Sequence, residues 1–313
     1  MDTANLVVQA LVSRAVASDV PPLAAKEFWP LWRSGDVGEL LGQSADSIAT
    51  SRGLAGDVAE RVARLLNRSS AITLATEQLE HTGFWTLAPS DDAYPARVME
   101  RLGDSAPPLF FGVGETAHLA LDGLGVVGSR DIPPEAAEVA GDVARFAAKK
   151  DLPLVSGGAR GIDQQSMNAA FEAGGNVVGV LADSLTKSVT QPSTRRAIGG
   201  GQISLMTPYA PSAGFSVGNA MGRNKIIYAL SKAVVVVRSD EGSGGTWAGA
   251  VEALRNKTSN VISWTGPGTG PGNAELVAQG ARDLPNIDSL PEALDSDAAK
   301  AGRQPTGDQL AIF

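Results

Sequence analysis

Residues 123–130 read GLGVVGSR and residues 156–163 read SGGARGID. Leu124-Gly125-Val126-Val127 is a short apolar strand that closes on Gly128-Ser129-Arg130. From Pro134 to Lys149 the apolar residues Ala137, Val139, Val143 and Phe146 return on a helical period, and Leu152 to Val155 makes a second strand. The spacing predicts a βαβ unit with a glycine-rich turn after each strand. In an open parallel sheet, ligands bind at those strand ends, where glycines admit a close backbone approach and the next helix offers free N–H groups. Each turn also carries a cation, Arg130 or Arg160. The pattern is not the dinucleotide fingerprint, which needs GxGxxG in the turn between strand and helix and an acidic residue about twenty positions on in the right context. A redox dinucleotide is therefore disfavoured.

A third edge of the same kind follows. Val234 to Val237 is a continuous β-branched run, as a parallel strand covered on both faces requires. It passes Arg238 into the turn Gly242 to Gly245, and Thr246 opens a helix through Leu254. Ser129, Ser156, Ser243 and Thr246 then supply hydroxyls for phosphate oxygens, while Gly157, Gly158, Gly244 and Gly245 let the ligand in. Arg223-Asn224-Lys225 is read as the start of a helix. Two cations there oppose the macrodipole, a conflict that an anionic partner removes; the plainer alternative is a solvated helix start. The segment Asp183 to Arg196, with Lys187, Arg195 and Arg196, reads either as a mobile basic flap over the pocket or as an ordinary surface insertion.

At 313 residues the chain is long enough for one sizeable α/β domain and a smaller one. The expected layout is a helical region over 1–83, an extended connector over 84–118, a Rossmann-like domain over 119–295 and a polar tail over 296–313. In the first region Asn5 to Ala17, Leu23 to Trp32, Val58 to Leu66 and Ala71 to Leu79 show helical spacing, and it reads as a packing module without chemistry. There is no cysteine, which removes disulfides and thiolate chemistry and suits a reducing, cytoplasmic compartment. The first twenty residues lack a basic n-region and read as an amphipathic helix. No apolar run approaches the length of a membrane span. His81 and His118 stand alone, without a second ligand at metal spacing. The net charge of −8 argues against broad, non-specific nucleic-acid binding. The charge is uneven, however: residues 1–118 hold 9 basic and 15 acidic residues, whereas 119–265 hold 14 basic and 12 acidic. An anionic ligand belongs on the second segment.

These blocks, taken in order, resemble the DprA/Smf family of DNA-processing proteins. The resemblance begins with Tyr94-Pro95, a short helix, and Pro107-Pro108 before an apolar strand. It continues through GSR, SGGARGID, Gly174 to Leu181, Arg223 to Ser231, Ala233 to Val237 and Gly242 to Ala250, covering about Phe84 to Leu294. It implies a Rossmann-like domain that binds single-stranded DNA in the strand-end pocket, forms a homodimer and loads a RecA-type recombinase. It attaches no firm catalytic reaction, and the chain shows no serine-histidine-acid set, metal cluster or covalent lysine motif. Departures mark a divergent branch without the C-terminal winged helix: Lys225 stands where arginine is usual, Arg238 where an acid is usual, Trp247 at a helix start that is usually smaller, and Phe215 to Met221 is a longer link.

Two other readings stay open. The related nucleoside-monophosphate phosphoribohydrolases need PGGxGTxxE, whereas Gly244-Gly245-Thr246 lacks the proline and second glycine, and Glu252 falls six positions after Thr246. A nucleotide-signal sensor could use the same cradle. Finally, Gln309, Leu310, Ile312 and Phe313 resemble the pentapeptide by which bacterial proteins dock onto the replication sliding clamp, which makes that clamp an expected partner.

Overall fold

A computed structural model describes residues 2–295. Gln309, Leu310, Ile312 and Phe313 lie outside the described residues.

Nine strands form one sheet: β1 (Phe84–Leu87), β2 (Phe110–Gly114), β3 (Gly123–Gly128), β4 (Leu154–Ser156), β5 (Val177–Val180), β6 (Ile203–Thr207), β7 (Ser231–Arg238), β8 (Asn260–Trp264) and β9 (Arg282–Leu284). Their order is β1-β2-β6-β5-β4-β3-β7-β8-β9. The seven strands from β6 to β9 in that order pair in parallel, and β2 and β1 add an antiparallel edge. The architecture is the expected α/β, Rossmann-like, mostly parallel sheet. From β3 the chain steps outward through β4, β5 and β6, then returns to place β7 on the other side of β3. Strand order therefore reverses at β3/β7, and the crevice outside the strand ends opens there.

The period-2 alternation of β7 divides two cores. Val234 and Val236 pack with residues of α11 (Val217–Leu230) and α12 (Gly244–Asn256), while Ala233, Val235 and Val237 face α7 (Pro134–Lys149) and α8 (Ile162–Glu172). All five are fully buried, and each valine contributes about 1.5–3 kcal/mol of apolar transfer. That is why the run carries no polar residue until Arg238.

The helical region is α1 (Thr3–Val12), α2 (Ala25–Arg33), α3 (Ala45–Arg52), α4 (Gly56–Leu66) and α5 (Ser69–His81). α3, with its weakly apolar ADSIATSR, escaped the periodicity reading; Ser44 caps it and Gly53 ends it in the left-handed region. Arg68 donates to the carbonyls of Ala10, Ser13 and Val16 at 2.9, 2.7 and 3.0 Å, placing a cation at the end of α1. The apolar core of this region is continuous with the α11 and α12 face of the sheet.

The stretch read as a connector contributes β1, β2 and α6 (Ala96–Leu102). From α6, Arg101 donates to the carbonyls of Ala229 (2.9 Å) and Ser231, and Arg97 to that of Leu230 (3.2 Å). These bonds satisfy open carbonyls at the end of α11 and so fix the helix that borders the crevice. The segment read as a flap holds two short helices, α9 (Leu185–Val189) and α10 (Pro192–Gly199), beside β6. α13 (Pro271–Ala278) and α14 (Leu290–Asp295) complete the described residues.

Candidate functional site

The ends of β3 and β7 meet through their backbones. Ser129 N–H donates to the Arg238 carbonyl at 3.0 Å, and the Ser129 hydroxyl donates to the same oxygen at 3.2 Å. Gly161, with φ +87°, lets the second turn close on the first, since a Cβ there would lie 2.4 Å from the Ser129 carbonyl oxygen. Above these ends lies a cavity of about 570 Å³. Its walls include Gly128, Ser129 and Arg130 from the first turn, Arg223 and Asn224 from α11, and Ser243, Gly244, Gly245 and Thr246 from the start of α12.

The start of α12 is built to receive an acceptor. Ser243 sits at its N-cap without forming a side-chain cap, and the first-turn N–H groups have no partner within the helix. The helix dipole adds a partial positive charge at the same point. Asn224 Nδ2 donates to the Gly245 carbonyl at 3.0 Å and ties this turn to α11.

Beneath the cavity lies a buried ion pair. Arg223 Nη1 is 3.4 Å from Asp163 Oδ2, with the two residues 6% and 5% exposed. Burial pushes the Asp163 carboxyl up from the ordinary carboxylate range, while the adjacent guanidinium opposes the shift. Burial draws Arg223 down, with Asp163 opposing. Its Nε has no hydrogen-bond partner, nor does the buried hydroxyl of Tyr228 on the cavity wall. Gly157 exists to seat this arginine: a Cβ there would lie 1.4 Å from Arg223 Nη1.

The structure thus brings together Gly128, Ser129, Arg130, Arg223, Asn224, Ser243, Gly244, Gly245 and Thr246. Other expected residues go elsewhere. Ser156 is fully buried and donates to the Val126 carbonyl at 2.7 Å, so its hydroxyl serves the sheet. Gly157 and Gly158 shape the turn below the cavity without lining it. Arg160 pairs with Asp131 at 2.7 Å in an adjoining cleft, which Arg130 also borders. Lys187 lies on α9 and lines neither space.

The reading of Arg223-Asn224-Lys225 as a helix start is corrected. α11 begins at Val217, capped by the Ser216 side chain, which accepts from Asn219 N–H. The three residues are therefore mid-helix, and no conflict with the macrodipole arises. Lys225 points to α12, where its Nζ is 2.8 Å from Glu252 Oε1. Arg238 donates to the carbonyls of Gly268 and Thr269 at 3.2 and 2.6 Å, tying down the loop that leads to α13. Among the described residues no group of three metal-ligating side chains is present.

The family model described as DNA recombination-mediator protein A matches residues 85–295. The chain belongs to that family. Among its relatives, a putative DNA processing protein DprA of Mycobacterium tuberculosis is 27% identical over 281 residues, spanning 82% of this chain and 70% of the relative. DNA processing protein DprA of Streptococcus pneumoniae is 28% identical over 199 residues, 61% of this chain and 69% of that protein. The S. pneumoniae DprA crystal structure aligns with a TM-score of 0.63 at 24% identity, covering 86% of this chain and 98% of that one. A structure of DprA from Helicobacter pylori, described with its single-stranded DNA binding mode, aligns with a TM-score of 0.55 at 22% identity, covering 67% of this chain and 95% of that one. At those identities the structural likeness is one of fold. The matched region contains the whole cavity, so the recombination-mediator domain and the site coincide.

Proposed function

We propose that the chain binds single-stranded DNA across the ends of β3 and β7, with backbone phosphates at the α12 N-terminus and beside Arg130. In this reading it shields the strand, acts as a homodimer and passes the DNA to a RecA-type recombinase. The observation that carries the binding step is the convergence of free first-turn N–H groups, the Ser243 and Thr246 side chains, and Arg130, Arg223 and Arg238 on one cavity at the sheet's switch point. The Helicobacter relative's described binding mode supports the same ligand class. The recombinase and homodimer parts come from the family relationship.

A hydrolytic reading finds less support. Glu252, the first acid after the glycine turn on α12, is bound to Lys225 and does not line the cavity. A small-nucleotide reading draws on the cavity's size, which falls within the range usual for small-molecule sites. Fluorescence anisotropy with a single-stranded oligonucleotide, its duplex and a mononucleotide separates them. The proposal expects salt-dependent binding of the single strand, weaker binding of the duplex and no competition by the mononucleotide at equal phosphate concentration. Full displacement by the mononucleotide would favour the sensor.

A further inference from the structure

The cavity carries as many acids as bases. Its walls include Arg130, Arg223 and Arg238, but also Asp131, Asp163 and Asp240. Asp163 is held by Arg223 in the buried pair beneath the cavity. Asp131 differs, because it borders both the cavity and the adjoining cleft and stands in water. A site for a polyanion gains nothing from a carboxylate on its wall, which repels every phosphate that approaches.

The backbone sets the position of Asp131. Ile162 N–H donates to the Ser129 carbonyl at 3.3 Å, and Gly161 brings its turn so close that a Cβ there would lie 2.5 Å from the Arg130 carbonyl oxygen. The two turns are thus locked together, with Asp131 Oδ1 2.7 Å from Arg160 Nη2. That contact engages one nitrogen of a guanidinium that has five N–H donors, and the side chains of Arg160 and Asp131 are 69% and 89% exposed. An exposed pair of this kind is weak and shifts an equilibrium by up to about fivefold. Arg223 is held by a buried acid and Arg238 by two carbonyls. Arg160, by contrast, has an anionic partner that can leave at little cost.

We propose that Asp131 is a built-in competitor for the strand: its carboxylate occupies, on Arg160, the place that a backbone phosphate takes when single-stranded DNA binds. This rests on the single-stranded DNA reading above and adds a limit on its affinity. Binding exchanges one anion for another on Arg160, so the arginine still neutralises a phosphate in the complex, but the displacement of Asp131 offsets part of the gain. On release the carboxylate returns to the guanidinium. Such a limit suits a protein that passes its strand on.

The test measures affinity for an oligo-dT strand at one salt concentration. The proteins are the wild type, Asp131→Asn, Asp131→Ala, Arg160→Ala and the double variant Asp131→Ala, Arg160→Ala. Asp240→Asn controls for net charge, since Asp240 is an exposed aspartate of the same cavity wall that pairs with no arginine among the described residues. Both Asp131 variants should bind about two- to fivefold more tightly than the wild type, and Asp240→Asn should gain less. Arg160→Ala should bind more weakly, and adding Asp131→Ala to it should gain no more than Asp240→Asn does. Unchanged or weaker binding by the Asp131 variants would overturn the competitor. So would an equal gain with and without Arg160, which would mean that Asp131 only repels the strand, and so would wild-type affinity in Arg160→Ala. In each of those cases the wild type still binds, and the single-stranded DNA reading stands. A wild type that does not bind oligo-dT would overturn that reading and the competitor together.

Discussion

Arg223 Nη1 stands 3.4 Å from Asp163 Oδ2 beneath the cavity, and the two charges are buried together. They come from different elements, α8 and α11, so the pair couples the SGGARGID turn to the helix that borders the crevice. Removing one partner strands the other in a medium of low dielectric. Asp163→Ala should cost about 3–5 kcal/mol in unfolding free energy, measured by urea denaturation. The double variant Asp163→Leu, Arg223→Met should recover most of that stability. If Asp163→Ala unfolds at the wild-type midpoint, the pair is not buried as described.

Gly157 carries a separate expectation. A methyl group at this position occupies the space of the Arg223 guanidinium, so Gly157→Ala must move the arginine or the turn. A destabilisation of about 1–3 kcal/mol follows from overpacking, together with weakened oligonucleotide binding. Thermal unfolding and anisotropy on the same sample check both. Wild-type values in each would show that the turn has room to spare.

His118 sets a pH dependence. It is buried, its Nδ1 lies 3.3 Å from Ser204 Oγ, and burial lowers its pKa from the ordinary 6.5, with nearby Glu115 opposing. The folded ring resists a proton that the unfolded chain accepts, so stability is full above pH 6.5 and falls as pH drops from there through the lowered folded value. Denaturation midpoints at pH 7.5 and pH 5.5 should differ in the wild type and differ less in His118→Gln. Equal differences in the two proteins would remove His118 from the acid response.

Lys225 should matter little to the ligand. It pairs with Glu252 of α12 and does not line the cavity. Lys225→Ala should change stability by about 1 kcal/mol or less, as partly exposed pairs do, and leave the oligonucleotide salt slope unchanged. A slope reduced by one contact would place Lys225 on the strand after all.

The sheet was legible because β3, β4 and β7 are short apolar runs that lead into glycine turns, with a continuous β-branched stretch in β7, and burial on both faces leaves such strands little other composition. Arg130, Ser243 and the glycines of α12 could be read for the same reason: they sit at the strand ends that the pattern defines. Arg223 and Lys225 show the limit. Both are cations in one helical turn, and their separate fates depend on where α11 begins. Its start was hidden because VGNAMG, with two glycines, does not resemble a helix until Ser216 caps it. Asp163 was quoted only as the end of a motif, since nothing local reveals that its partner lies 60 residues away. Phe215 was seen only as part of an unusually long link; that its ring stays at the cavity rim depends on bonds made by Asn219 and Tyr209. The role of the Ser156 hydroxyl is not legible, because the Val126 carbonyl that it bonds on the neighbouring strand is invisible in sequence.

The most direct measurement is the salt dependence of single-stranded DNA binding by the wild type and by Arg130→Ala. Arg130 borders both the cavity and the adjoining cleft that holds Arg160, so it is the cation best placed to follow a backbone between them. Each phosphate neutralised contributes about −0.7 to the logarithmic slope on single strands. The wild type should show a slope of about −1.4 or steeper, from Arg130 and Arg160 together, and Arg130→Ala should lose about 0.7 of it while base preference stays the same. An Arg130→Ala protein that matches the wild type in affinity and slope at every salt concentration would contradict the placement of DNA at this site.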